Sequence, residues 1–236
     1  PVLDERLLTS PAVAIQQAQN AVEKMAARAA RNYRAAMPLL AGYKDDAAAV
    51  VNQREDLIDR MEVTLTNYLI KISDRELGEM ESHRVNSLLA FVTEVERIGD
   101  YAINVTERAA EMRDKELNFS DQAQRELQML GGAIGEIIDL TVQAMHNGET
   151  VTAAQVEPLE ETVDTICETL RTRHIQRLKE GKFQLESGII FLDVLTNLER
   201  ISDHCSNIAA RLLGMESDSE LDPHALKKAM HNGDTK

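Results

Sequence analysis

Apolar side chains return along this chain every three to four residues, over long uninterrupted stretches, and that period belongs to α-helices. Ala14, Ala18, Val22, Met25 and Ala29 mark one face of a helix from about Ala12 to Met37, which Pro38 and Gly42 end. Val50, Leu57, Met61, Leu65, Tyr68 and Leu69 mark a second, from about Asp45 to Ile72. A third starts at Ser73-Asp74 or at Gly78 and runs to about Lys115, carrying Val85, Leu88, Val92, Val95, Ile98 and Val105. Its length of roughly 50 Å suits a bundle. Asn118-Phe119-Ser120 then reads as a hinge, with Ser120 placed to cap the next helix.

The same three-element order follows again. A helix covers about Asp121 to His146 and stops at Asn147-Gly148. Thr152 is expected to cap a helix running to about Lys179, closed by Gly181. A last long helix is expected from about Phe183 to Leu213, stopped by Gly214. Ahead of all this, Pro1 to Pro11 reads as an extended lead-in, with Thr9 or Ser10 as cap and Pro11 in the first turn. Residues 215–236 read as a polar, flexible tail with room for a short helix near His224 to Met230.

The repetition extends to residue identities. A shift of 103 residues lays Leu89 to Arg108 onto Leu192 to Arg211 with eight of 20 positions identical. A shift of 105 lays Glu55 to Asp59 onto Glu160 to Asp164. The expected fold is therefore all-α, two tandem three-helix bundles built by duplication, divided as 12–117 and 118–214.

Composition agrees and excludes some functions. Of 236 residues 43% are hydrophobic, with no Trp, four Phe and four Tyr, which favours close helix packing. Asp plus Glu number 40 against 26 Lys plus Arg, a formal charge of -14. Phosphate backbones would be repelled, so no nucleic-acid partner is expected. Cys167 and Cys205 fit no metal-ligand spacing and read as buried, reduced thiols. No stretch approaches the roughly 18 apolar residues of a spanning helix. The start at Pro1 without Met reads as a piece of something longer.

Four Glu-x-x-x-Asp pairs stand out: Glu55/Asp59, Glu96/Asp100, Glu160/Asp164 and Glu199/Asp203. Residues four apart share a helix face, where like charges repel. A bound cation would convert that repulsion into ligation. Asn104 and Asn207 extend two of the rows by one turn and are weaker candidates, as are the nearby Glu94 and Asp193. Acids are so common here that roughly seven such pairs should arise by chance, so each alone is weak. Recurrence at matched places in both halves is the stronger signal, set against solvated faces paired with Arg60, Arg97 and Arg200. His83, His146, His174 and His204 are scattered and suit surface or packing roles. No Gly-rich phosphate loop, Glu-x-x-His pair or nucleophile triad is present, so there is no case for catalysis.

Glu96-Arg97-Ile98-Gly99-Asp100-x-x-x-Asn104 and Glu199-Arg200-Ile201-Ser202-Asp203-x-x-x-Asn207 resemble the signature of the PhoU family. The likeness covers about residues 12 to 214, and the two other acid pairs match the family's further motifs. Leu3-Asp4-Glu5-Arg6-Leu7-Leu8-x-x-Pro11-x-x-Ala14 resembles the segment after the membrane part of bacterial sodium-dependent phosphate cotransporters, which often carry a PhoU-like domain at their C-terminal end. The resemblance implies two three-helix bundles and a multinuclear iron or zinc site in each. One site would use Glu55, Asp59, Glu96 and Asp100, the other Glu160, Asp164, Glu199 and Asp203. It also implies a regulator of phosphate transport on the cytoplasmic side of the bacterial inner membrane, acting on a sodium/phosphate transporter domain of the same chain. A stand-alone PhoU-type regulator, a metal-dependent phosphohydrolase and a structural interaction bundle are the alternatives, with a homo-oligomer left open.

Overall fold

The computed structural model describes residues 3–182 and 184–216, and no strand occurs among them. The long helices are α1 (Pro11–Ala36), α2 (Asp45–Ser73), α3 (Glu79–Asp114), α4 (Asp121–Asn147), α6 (Val156–Lys179) and α7 (Leu185–Glu216), with a five-residue α5 (Thr150–Ala154) between α4 and α6. Helices α1, α2 and α3 form one bundle; α4, α6 and α7 form the other. The bundles are joined along α3 and α7, and α1 also meets α4. One apolar core therefore runs through both, from Ile15, Met25, Ile58 and Leu69 to Leu130, Ile134, Phe191 and Leu195.

Small residues make this closeness possible. Ala14, Ala18, Ala21, Ala26, Ala29 and Ala30 are buried along α1, which packs against α2, α3 and α4 without spending side-chain entropy. Tyr33 near the end of α1 reaches across and donates its hydroxyl proton to the Gly131 carbonyl on α4, at 2.6 Å.

The helix ends follow local chemistry. Ser120 accepts from the Ala123 amide at 3.1 Å, as the sequence predicts, and Gly148 takes the left-handed conformation (φ 61°) that stops α4. Gly181, at φ 66°, follows the end of α6.

Four expectations change. The lead-in is not extended: Glu5–Thr9 form a 3-10 turn, capped by Asp4, whose carboxylate accepts from the Arg6 amide, and Leu8 is buried beneath it. Ser10 precedes α1 with Pro11 in the first turn, but neither Thr9 nor Ser10 caps through its side chain; Thr9 donates back to the Arg6 carbonyl. Thr152 does not cap α6; it lies within α5 and donates to Glu149. Gly214 does not stop α7, which continues to Glu216. An interior glycine costs a helix only about 1 kcal/mol, less than packing supplies. The connection at 118–120 is pinned as well, because Phe119 is buried edge-on to Phe191 with ring centres 5.7 Å apart. The short helix expected at His224 to Met230 lies outside the described residues.

Candidate metal centre

Helices α2 and α3 each carry a pair of acids one turn apart. Their packing brings oxygens of Glu55, Asp59 and Asp100 within 4.8 Å of one another. Glu55 is the buried member, only 7% exposed, and neither of its carboxylate oxygens meets a hydrogen-bond donor among the described residues. Gly99 makes room for it: a Cβ at that position would stand 3.0 Å from Glu55 Oε2. Burial, followed by repulsion from Asp59 and Asp100, pushes the Glu55 carboxyl up to about 8. Burial also leads for Glu96, raised to about 8, with Asp100 as the next cause. Asp59 is raised too, by burial and then by Asp100. A group of acids this crowded, with a buried member lacking donors, is costly unless a cation enters it. An all-oxygen donor set of this kind fits a hard cation.

The second half repeats the arrangement. Glu160 and Asp164 on α6 and Asp203 on α7 also place oxygens within 4.8 Å of one another. Glu160 is fully buried. Ser202 stands where the first half has Gly99, and its hydroxyl is buried with no hydrogen-bond partner among the described residues.

A model of the PhoU domain matches this chain twice, over residues 22–109 and 127–212. The chain belongs to the PhoU family. Each match contains one of the two acid clusters. Among PhoU relatives, a phosphate-specific transport system accessory protein PhoU homolog of Thermotoga maritima is 20% identical over 201 residues, 85% of this chain and 86% of its own length. One from Pseudomonas aeruginosa is 24% identical over 69% of this chain and 66% of its own. The crystal structure of PhoU from Pseudomonas aeruginosa superposes with a TM-score of 0.81 at 21% identity, covering 86% of this chain and 97% of that one. That of the phosphate transport system regulatory protein PhoU from Streptococcus pneumoniae gives 0.80 at 15%, covering 90% and 100%. The fold is the PhoU fold, with six long helices in two bundles.

Not every candidate joins a cluster. Glu96 stands beside Asp100 but outside the three that converge, and Glu199 is drawn aside by Arg171 at 3.2 Å. Asn104 and Asn207 face the junction of the bundles instead. Asn104 donates to Asn197 at 3.2 Å, and Asn207 approaches Glu94 at 3.4 Å. Those pairs lie at positions related by the 103-residue repeat, as do Tyr101 and His204, whose rings stack 5.6 Å apart. His204 also bonds Glu94, so Glu94 serves the α3–α7 joint. Asp193 accepts from Asn197 on its own helix. His174 is buried against Phe191, a packing role, while His146 meets Glu23 at the surface. Both cysteines are free and buried.

Two neighbours of the clusters escape a reading by motif. Glu62 repels Glu96 across the α2–α3 groove, and Arg171 holds Glu199 across the α6–α7 groove. Glu62 continues the Glu55/Asp59 row by three residues, a spacing that could have found it. Arg171 lies seven residues after Asp164, two turns on along the same face.

Proposed function

We propose that this chain is a non-catalytic regulator of phosphate transport that holds metal at its two carboxylate clusters. The observation that carries the reading is that each PhoU match encloses one cluster, built alike in both halves. The named relatives are accessory proteins of phosphate-specific transport systems, and family likeness brings that role to this chain. The partner is the membrane domain of a sodium/phosphate cotransporter on the same chain, at the cytoplasmic face of the bacterial inner membrane. The lead-in resemblance supports it. That segment is also anchored: Tyr68 donates to the Asp4 carbonyl at 3.0 Å, and Leu8 is buried. No helix among the described residues is long and apolar enough to cross a membrane, so this reading needs a separate spanning segment. A stand-alone accessory protein is the second reading. It is favoured by relatives such as the Thermotoga maritima protein, 86% of whose length the likeness covers.

Glu55, Asp59 and Asp100 would hold cation in the first half, with Glu96 at the edge. Glu160, Asp164 and Asp203 would hold it in the second, with Glu199 outside. Oxygen donors alone suit hard cations, and zinc also accepts carboxylate oxygens. A bound cation supplies positive charge on an acidic surface, to which a phosphate oxygen can add. The chain's own acids position that charge, and the apolar core beneath fixes the spacing of the helices that bear them. Metal analysis of the full chain, purified without chelator and then reloaded with iron, tests the reading. Bound metal that falls stepwise with Asp100→Ala and Asp203→Ala is expected. A chain that takes up neither iron nor zinc would overturn it.

A further inference from the structure

The repeat relates the two clusters position by position, and the positions around them have diverged. On α2 the first cluster is followed by Glu62 and Thr66. Under the 105-residue shift the matching positions on α6 are Cys167 and Arg171. Each change removes negative charge from the second site or adds positive charge. Glu62 is close enough to Glu96 to repel it. Cys167 is a buried thiol where the first half carries a carboxylate. Arg171 bonds Glu199 at 3.2 Å and Thr196 at 3.5 Å, both on α7. In the first half Glu96 has its own neighbour Arg97 as ion-pair partner, and that only at 4.0 Å. Arg60 turns away to the Asp56 carbonyl.

We infer that the two clusters are not equivalent: the first is the strong cation site, the second is the weak one, and Arg171 sets the difference. The inference rests on the metal-binding reading above. A guanidinium on Glu199 is an internal cation. It removes one carboxylate from the field a metal would feel, and it repels an incoming ion. Glu62 acts in the opposite sense at the first cluster, adding a carboxylate where the second half has a neutral group. A unit charge a few ångströms away, in a partly solvated groove, changes cation affinity by about tenfold or more. The chain therefore has one site suited to permanent occupation and one suited to responding to metal supply. Arg171 is a positioning residue here, acting through Glu199.

Manganese(II) titrated into the full chain after chelation, followed by electron paramagnetic resonance of the free ion, tests this. Two binding classes are expected, separated by at least about tenfold. Asp100→Asn should remove the tight class and Asp203→Asn the weak one. Arg171→Thr, the residue found at position 66, should tighten the weak class by about tenfold, while Arg171→Lys should leave it weak. Thr66→Arg should loosen the tight class. Two equal classes, or a weak class unmoved by Arg171→Thr in a protein with unchanged helicity, would overturn the inference and leave the metal reading standing. No manganese bound at either cluster of the natural chain, with none of iron or zinc on reloading, would overturn both.

Discussion

Where the first bundle buries Leu69 and Ile72 near the end of α2, the second carries His174 and Arg177 at the matched places on α6. His174 stacks on Phe191 with ring centres 3.9 Å apart and bonds the Gly188 carbonyl at 3.1 Å. Arg177 grips Glu126 on α4 with two bonds of 2.7 and 3.0 Å. The same region is apolar in one bundle and polar in the other, while the acid pairs on the same helices match. Duplicated helices can trade packing for polar networks as long as neighbours change with them. The acids are matched because they meet each other across a groove, so that a change in one would leave the rest without their arrangement. The second bundle thus depends on geometry and charge where the first depends on oil, and its stability should respond to mutation and pH in ways the first does not.

The largest effect expected is at Arg177. Burial alone would raise the Glu126 carboxyl, but the bonds from Arg177 and Gln122 outweigh it and hold the group below its ordinary value. Arg177→Met removes the partner of a carboxylate that is 5% exposed. Breaking such a pair from one side costs about 3–5 kcal/mol. The double replacement Arg177→Met with Glu126→Leu should recover most of that loss, because two apolar groups then meet. Urea denaturation of the chelated chain measures both. The matching Ile72→Met in the first bundle should cost under about 1.5 kcal/mol, since it changes shape and not charge.

His174 gives the next effect. Burial depresses its imidazole to about 4, against an ordinary 6.5. A folded-state value below the unfolded one means the native state prefers the neutral ring. That stability is complete above about 6.5 and is lost as pH falls through about 4. The loss from this group approaches roughly 3 kcal/mol at the acid end. His174→Leu, which copies position 69, should flatten this part of the stability profile between pH 6.5 and 4. A profile of unchanged slope in that variant would show that the acid sensitivity lies elsewhere.

The helices and the acid pairs were legible in the sequence because both depend on a single period. Ala14 to Ala29 and Glu55 to Asp59 need nothing but the pitch of one helix to be placed. Ser120 and Gly148 were legible for a similar reason, since caps are local chemistry. Gly214 was not, because whether a glycine ends a helix depends on what packs beyond it, and α7 runs on. The 3-10 turn at Glu5–Thr9 was not legible, because five residues are too short a run to show a helical period. Arg171 and Glu62 act across helices, where the register of two helices decides who meets whom. Asn104 and Asn207 continue the acid rows by spacing, yet their side chains meet Asn197 and Glu94 at the joint between bundles. Spacing along one helix tells which residues share a face; it does not tell which groove that face meets.

The smallest effect is also the most specific to the comparison between clusters. Gly99 and Ser202 occupy matched places, and a Cβ at Gly99 would stand 3.0 Å from one Glu55 oxygen and 3.4 Å from the other. Replacing a mid-helix glycine by alanine ordinarily adds about 1 kcal/mol of stability. At Gly99 the gain should largely vanish, because the Glu55 carboxylate must move aside to admit the methyl group. A double-mutant cycle separates these terms. With Glu55→Ala in the background, Gly99→Ala should recover its full gain of about 1 kcal/mol in thermal or urea unfolding of the chelated chain. The same Gly99→Ala in the natural background should leave stability within about 0.5 kcal/mol. If Gly99→Ala gains the full amount with Glu55 intact, then Glu55 has room to retreat and the bare backbone at Gly99 is not what seats it. The first cluster would then differ from the second only through the charges that surround it.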